Sequence, residues 1–228
     1  MAHTPNVAVI LAGCGHLDGA EIREAVLTLL ALDQHGAHVT CLAPSGSQHH
    51  VVNHVTGEEI PGATRNLHEE ASRIARVHQC ALLAEADPTG FDALILPGGY
   101  GVAKNLCSFA FHGKDARVHP EVEAFIQAFF DQGKPVGAIC IAPALVALVL
   151  QAMGRSATLT LGSGAGVGPE MEALGHHHVP TTSAREVVID EALSLVTSPA
   201  YMFDDARLAD LQVGIDRCVA EVLRRIKH

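Results

Sequence analysis

Cys140 stands where a short apolar run turns into a helix former, a place where residue type and spacing together suggest covalent chemistry. The surrounding segment is Lys134-Pro135-Val136-Gly137-Ala138-Ile139-Cys140-Ile141-Ala142-Pro143-Ala144, and it opens on a Gly-Lys-Pro turn signal. Val136 to Ile139 has the all-apolar character of a buried parallel strand. Pro143 suits a first helical turn, where its missing N–H is not needed, and residues 144–150 are apolar helix formers throughout. A cysteine at such a turn meets free backbone N–H groups and the positive end of a helix dipole. Thiols in that setting titrate at roughly 3.5–7.5 instead of ~8.5, so a thiolate is expected at neutral pH. The arrangement has the form of a nucleophile elbow. The alternative is a small buried hydrophobe, as many unpaired cysteines are, but the strand–Cys–Pro–helix context favours the nucleophile.

Two other stretches could complete a site. Asp18, Glu21 and Glu24 lie near the start of a helix, where acidic residues are also common for dipole reasons alone. Gly98 and Gly99 end an apolar run, so a backbone N–H could face a cleft there, although a tight turn accounts for them equally well. A thiolate, a carboxyl that holds or returns a proton, and backbone donors form a set for addition to a carbonyl. His16 adjoins the first of these loops, as a cleft residue or as an exposed loop histidine. His176, His177 and His178 invite a metal, but neighbouring side chains on a strand point in alternating directions. No Cys or acid spacing completes a ligand set, so a surface run is expected and no metal or cofactor is implied.

The elements that must position these groups alternate along the chain. Strands are expected at residues 7–12, 39–42, 93–96, 136–139, 158–161, 187–189 and 195–197. Helical periodicity covers 20–35, 66–77, 118–132, 144–150 and 205–226. Gly36 stops the first helix as a C′ residue would. This alternation implies right-handed crossovers and a doubly wound, mostly parallel α/β sheet between helices. In such sheets ligands bind beyond the carboxyl ends of the strands, so the loops after residues 12, 96 and 139 should meet. One domain over residues 1–228 is expected, with a loop-rich insertion at 44–66 that has room for a small hairpin.

Composition narrows the function classes. With 48% apolar residues, 4% aromatics and no Trp, the core must be built from Ala, Val, Leu and Ile. A net charge of −10 argues against nucleic acid and anionic membranes as partners. No apolar run approaches the ~20 residues that span a bilayer, and the first residues carry no signal-peptide pattern. Cysteines 14, 41, 80, 107, 140 and 218 are scattered without a CxxC pair, which fits reduced thiols in the cytoplasm.

These residues carry a resemblance. Ile139-Cys140-Ile141-Ala142-Pro143, Pro97-Gly98-Gly99 and Gly19-Ala20-Glu21-Ile22-Arg23-Glu24 resemble the ThiJ/PfpI superfamily, whose fold is flavodoxin-like and class I glutamine amidotransferase-like. More narrowly, Gly13-Cys14-Gly15, Asn53-His54, Thr56-Gly57-Glu58, Arg65-Asn66, Ala103-Lys104-Asn105-Leu106 and the segment Thr197 to Met202 are similar to the ElbB branch. The resemblance implies a glyoxalase, with an older association with isoprenoid biosynthesis, and a homodimer. It implies Cys140 as nucleophile, Glu24 as the carboxylic acid beside it, and the N–H groups of Gly99 and Ile141 as an oxyanion site next to Gly98. By the same resemblance Glu21, Asn105 and Tyr201 join His16 as cleft residues, while Asn53, His54 and Arg65 roof it. Ile141 stands where amidotransferases and PfpI-type proteases often place a histidine after the cysteine, and no His-x-Glu follows downstream. Glutaminase and peptidase chemistry therefore lack their general acid. The expected activity is conversion of glyoxal or methylglyoxal to glycolate or lactate through a cysteine hemithioacetal. Alternatives are a ligand-binding or redox-sensing protein using Cys140, or an amidotransferase-like partner subunit.

Overall fold

The computed structural model describes residues 3–76 and 79–227. Its seven-stranded sheet is built first from β1 (Asn6–Ile10), β2 (His38–Ala43), β3 (Cys80–Leu82) and β4 (Ala93–Leu96). β5 (Val136–Ile139) follows them. A separate two-stranded sheet pairs β6 (Thr158–Leu159) with β7 (His177–His178), and β8 (Val188–Asp190) and β9 (Leu195–Ser198) return to the main one. The order is β3-β2-β1-β4-β5-β9-β8, parallel throughout except for the β8 edge. This is the mostly parallel, helix-flanked sheet that the alternation of apolar segments predicts, in the flavodoxin-like form that the resemblance implies.

Side chains leave each strand alternately to opposite faces, so the sheet has two cores. Val7, Val9 and Leu11 pack with α1 (Ile22–Gln34), α2 (Leu67–Ala75) and a long C-terminal helix on one face. Ala8, Ile10 and Ala12 pack on the other face with Phe125, Ile126 and Phe129 and with residues 142–150. The helices on that second face are α4 (Pro120–Asp131) and α5 (Ala142–Ala152), preceded by the short α3 (Phe109–His112). α6 (Gly168–Ala173) closes the face, and α7 (Leu208–Arg224) is the C-terminal helix. α5 is buried from Ala142 to Leu150, which is why its sequence shows no polar stripe. Among the described residues no helix is long and apolar enough to cross a membrane.

Several expected elements differ. Residues 158–161 yield only the two-residue β6, because the N–H of Thr160 bonds Thr197 Oγ1 and that of Leu161 bonds His178 Nε2, with no strand as partner. The edge strand β3 and the π-helix Val102–Leu106 carry no periodic pattern and were not anticipated. The helix expected at 66–77 ends at Ala75. Val77 lies outside the described residues, as do Met1, Ala2, His78 and His228. Between residues 44 and 66, antiparallel bridges join Ser47 to Asn66 and Val52 to Glu59.

β1 feeds β2 on one side and has β4 on the other, so the winding direction switches beside β1. A crevice opens at the carboxyl ends of strands at such a switch. The loops after β1, β4 and β5 do meet there: Glu21 N–H donates to Gly98 O (2.9 Å), Tyr100 N–H to His16 O (2.8 Å) and Gly101 N–H to Gly19 O (2.8 Å).

Candidate active site

Cys140 occupies the turn between β5 and α5 with φ +60°, a left-handed conformation that is costly for a residue with a β-carbon. Its N–H donates to Ser198 O at the end of β9 (2.8 Å), which pins the turn to the next strand. Ile141 caps α5, and the N–H groups of Gly99 and Ile141 both donate to the Cys140 sulfur. Those two donors favour a thiolate, as the helix-end argument requires. They do not prevail: Cys140 is only 8% exposed, and burial pushes its thiol well above the ordinary value. The expectation of a depressed thiol pKa is therefore corrected, because loss of water outweighs two backbone hydrogen bonds.

Glu24 is fully buried on the inner face of α1. Its Oε2 accepts the Gly98 N–H (3.0 Å) and its Oε1 accepts the Tyr201 N–H (3.1 Å). A side-chain hydrogen bond joins it to Cys140. Burial, reinforced by the nearby charge of Glu21, pushes the Glu24 carboxyl up to about 8. At neutral pH the carboxyl therefore holds a proton beside the sulfur. The two groups titrate as one unit, giving up their first proton near pH 8. Gly98 makes this contact possible. A β-carbon there would lie 2.5 Å from Cys140 Cβ and 2.7 Å from Glu24 Oε2. Gly99, with φ +101°, turns its N–H toward the sulfur.

The remaining expected residues fall into different places. Glu21 is the N-cap of α1, its Oε2 accepting the Glu24 N–H (2.6 Å), so it acts on the site through helix position and charge. Asn105 is not a cleft donor. Its amide group bonds Ala12 O (3.2 Å), Asp18 O (2.9 Å) and the His49 N–H (2.9 Å), and so ties the β1 loop to the 44–66 segment. Tyr201 contributes its backbone N–H to Glu24, while its hydroxyl accepts from Arg23 Nη1 (2.7 Å). His16 is exposed beside His54, with ring centres 5.1 Å apart. His54 accepts the Leu17 N–H (3.3 Å) and approaches buried Asp18, whose Oδ2 accepts the Val52 N–H (2.8 Å). Asn53 and Arg65 are taken up by local contacts. Asn53 closes its own turn on the Val55 N–H, and Arg65 pairs with Glu70 (3.6 Å).

The histidine run is not a surface run. His176 and His178 are buried, bonded to Ala147 O (2.8 Å) and the Leu161 N–H (3.0 Å), and only His177 between them faces water. Sequence reasoning missed the Tyr201 N–H, a backbone group without a side-chain signature, and the cations Arg23 and Lys104. Lys104 donates to Leu17 O (2.8 Å) and lies over the Tyr100 ring (5.2 Å).

Comparison with known proteins follows the same lines. Residues 9–205 match the model of the DJ-1/PfpI family. The human "Glutamine amidotransferase-like class 1 domain-containing protein 3, mitochondrial" is 40% identical over 95% of this chain and 82% of its own length. The zebrafish "ES1 protein, mitochondrial" is 31% identical over 96% of this chain and 85% of its own. A solved structure from Ehrlichia chaffeensis, named as an isoprenoid biosynthesis protein with amidotransferase-like domain, superposes with a TM-score of 0.90 at 36% identity, covering 98% of this chain and all of that one.

Proposed function

The chain belongs to the DJ-1/PfpI family, and on that premise we propose that it is a cofactor-independent glyoxalase of the ElbB type acting on small α-oxoaldehydes. The observation that supports this reading most directly is the Cys140–Glu24 pair, closed off from water and ringed by the N–H groups of Gly98, Gly99, Ile141 and Tyr201.

The steps follow from proton positions. Cys140 Sγ adds to the aldehyde carbon as its proton passes to the ionised Glu24 carboxylate, giving a hemithioacetal. A general base with a pKa near 8 serves well close to neutral pH, since it both takes and returns protons. The N–H groups of Gly99 and Ile141, already aimed at the sulfur, lie beside the alkoxide formed on the adjoining carbon. Glu24 returns its proton to that alkoxide, then takes the hydrogen of the same carbon as a proton and delivers it to the neighbouring ketone carbon, while the hydroxyl proton passes to the former ketone oxygen, leaving a thioester. Water releases a 2-hydroxy acid and restores the thiol. The aldehyde carbon is oxidised and the ketone carbon reduced, so R–CO–CHO and H₂O give R–CHOH–COOH with no outside electron donor. Neither glutathione nor a metal belongs to this reading.

The name of the Ehrlichia relative brings a connection with isoprenoid biosynthesis, which we include as the setting of the reaction. We assign the protein to the cytoplasm on its six unpaired cysteines, although the human and zebrafish relatives carry a mitochondrial name. Steady-state turnover of methylglyoxal with product identification, wild type against Cys140→Ser, tests the reaction. Lactate formed by wild type and lost in the variant supports it. Turnover that survives Cys140→Ser overturns it.

A further inference from the structure

Both tyrosines of the chain border the Cys140–Glu24 pair, and each is topped by a cation. Tyr201 gives its N–H to Glu24, and Arg23 reaches across its ring, the guanidinium carbon 5.9 Å from the ring centre and Nη1 on the hydroxyl. Tyr100 directly follows Gly99, whose N–H meets the Cys140 sulfur, and it is 54% exposed. Lys104 Nζ sits over its ring and holds the Leu17 carbonyl. Among the described residues neither Arg23 nor Lys104 forms an ion pair with a carboxylate, in a chain of net charge −10 that pairs many of its other cations. The nearby acids, Glu21 beside Arg23 and Asp18 and Glu59 beside Lys104, act on these cations through charge at a distance and form no ion pair with either. A buried nucleophile is thus flanked by two cations whose donors outnumber their acceptors. Guanidinium and ammonium groups so placed receive carboxylate or phosphate oxygens.

We propose that the physiological substrate is an anionic carbonyl compound, its carboxylate or phosphate received at the rim by Arg23 and Lys104 while its aldehyde meets Cys140. The inference deepens the glyoxalase reading and rests on it for the reaction, but the rim can be tested without turnover. Iodoacetate and iodoacetamide present the same reactive carbon with and without a negative charge. Their alkylation rates at Cys140, followed by peptide mass spectrometry and divided by the same ratio for 2-mercaptoethanol, report on the rim alone.

Electrostatic focusing raises local anion concentration by 10-fold or more, so a normalised ratio of about 10 is expected for wild type, falling as salt rises from 50 to 500 mM. Arg23→Gln and Lys104→Met should each lower it several-fold, and Arg23→Lys and Lys104→Arg should retain it. A normalised ratio near or below one, or one that neither neutralising variant nor salt changes, overturns the proposal. If a neutralising variant does not fold, the wild-type ratio and its salt dependence still decide.

Turnover then separates the two anionic sources. 4,5-Dioxovalerate carries a carboxylate and hydroxypyruvaldehyde phosphate a phosphate, and one of them should exceed methylglyoxal in kcat/KM. Methylglyoxal preferred over both overturns the anionic substrate while leaving the reaction intact. No Cys140-dependent turnover of any of the three overturns the reaction, and the alkylation ratio then decides by itself whether the rim receives anions.

Discussion

At Cys140 two local rules oppose each other, and their magnitudes decide the chemistry. A helix N-terminus with two N–H donors lowers a thiol pKa, while removal from water raises it, by up to 3–5 units for a fully buried group. Here burial prevails, and the pair with Glu24 first ionises near pH 8. Labelling of Cys140 by iodoacetamide should therefore keep rising through pH 9, where an ordinary thiol levels off, because burial holds its thiol well above the ordinary value. Equal labelling rates at pH 6.5 and 9 would contradict this. Gly98→Ala tests the packing of the same pair, because its β-carbon would overlap both Cys140 Cβ and Glu24 Oε2. A loss of ~10² or more in kcat/KM is expected, since shifts of about 1 Å in a catalytic group cost that much. The nucleophile was legible because strand, cysteine and proline are contiguous. The pKa direction was not, since the groups that exclude water from Cys140 come from β4, β9 and α1, far away in the chain.

At the scale of elements, the crevice depends on loops that hold one another more than on any one helix. The β1 loop is fixed from outside by Asn105, on the π-helix, and by His54 and Asp18 across the 44–66 segment. Asn105→Ala would leave the Ala12 and Asp18 carbonyls and the His49 N–H without their partner. Each such group costs about 1–3 kcal/mol when it stays buried, less where water enters. A loss of at least ~1 kcal/mol in urea unfolding is expected, with a fall in kcat/KM as Gly19 and Ala20 shift against Gly99. A variant as stable and as active as wild type would show that the clamp is incidental. Apolar periodicity made most of the strands and helices readable. It gave no sign of the π-helix, of β3, or of the buried histidines in β7, because those are held by single hydrogen bonds to partners remote in sequence.

For the whole molecule, the same pair that favours reactivity works against stability. An ordinary Glu ionises near 4.5, and an unfolded chain would release the Glu24 proton there, whereas the folded chain keeps it to about 8. Between those values the unfolded state binds fewer protons, so this group lowers the free energy of unfolding as pH rises, by at most ~1.4 kcal/mol per unit. Its contribution is complete below 4.5 and wholly lost above about 8. Glu24→Gln removes the titration but is not neutral in shape, since both carboxyl oxygens accept backbone N–H groups and an amide NH₂ must face one of them. That mismatch costs about 1–3 kcal/mol at every pH. The variant should thus be the less stable protein at pH 4.5 and gain steadily on wild type up to pH 8, with a constant difference beyond. Titrating histidines and surface carboxylates are common to both proteins and cancel in the comparison. Urea unfolding of the two at pH 4.5, 6, 7 and 8.5 measures the difference directly. A difference independent of pH would mean that Glu24 ionises in the folded protein as it does in water, and it would leave the carboxylate too weak a base for the proton transfers of the proposed chemistry.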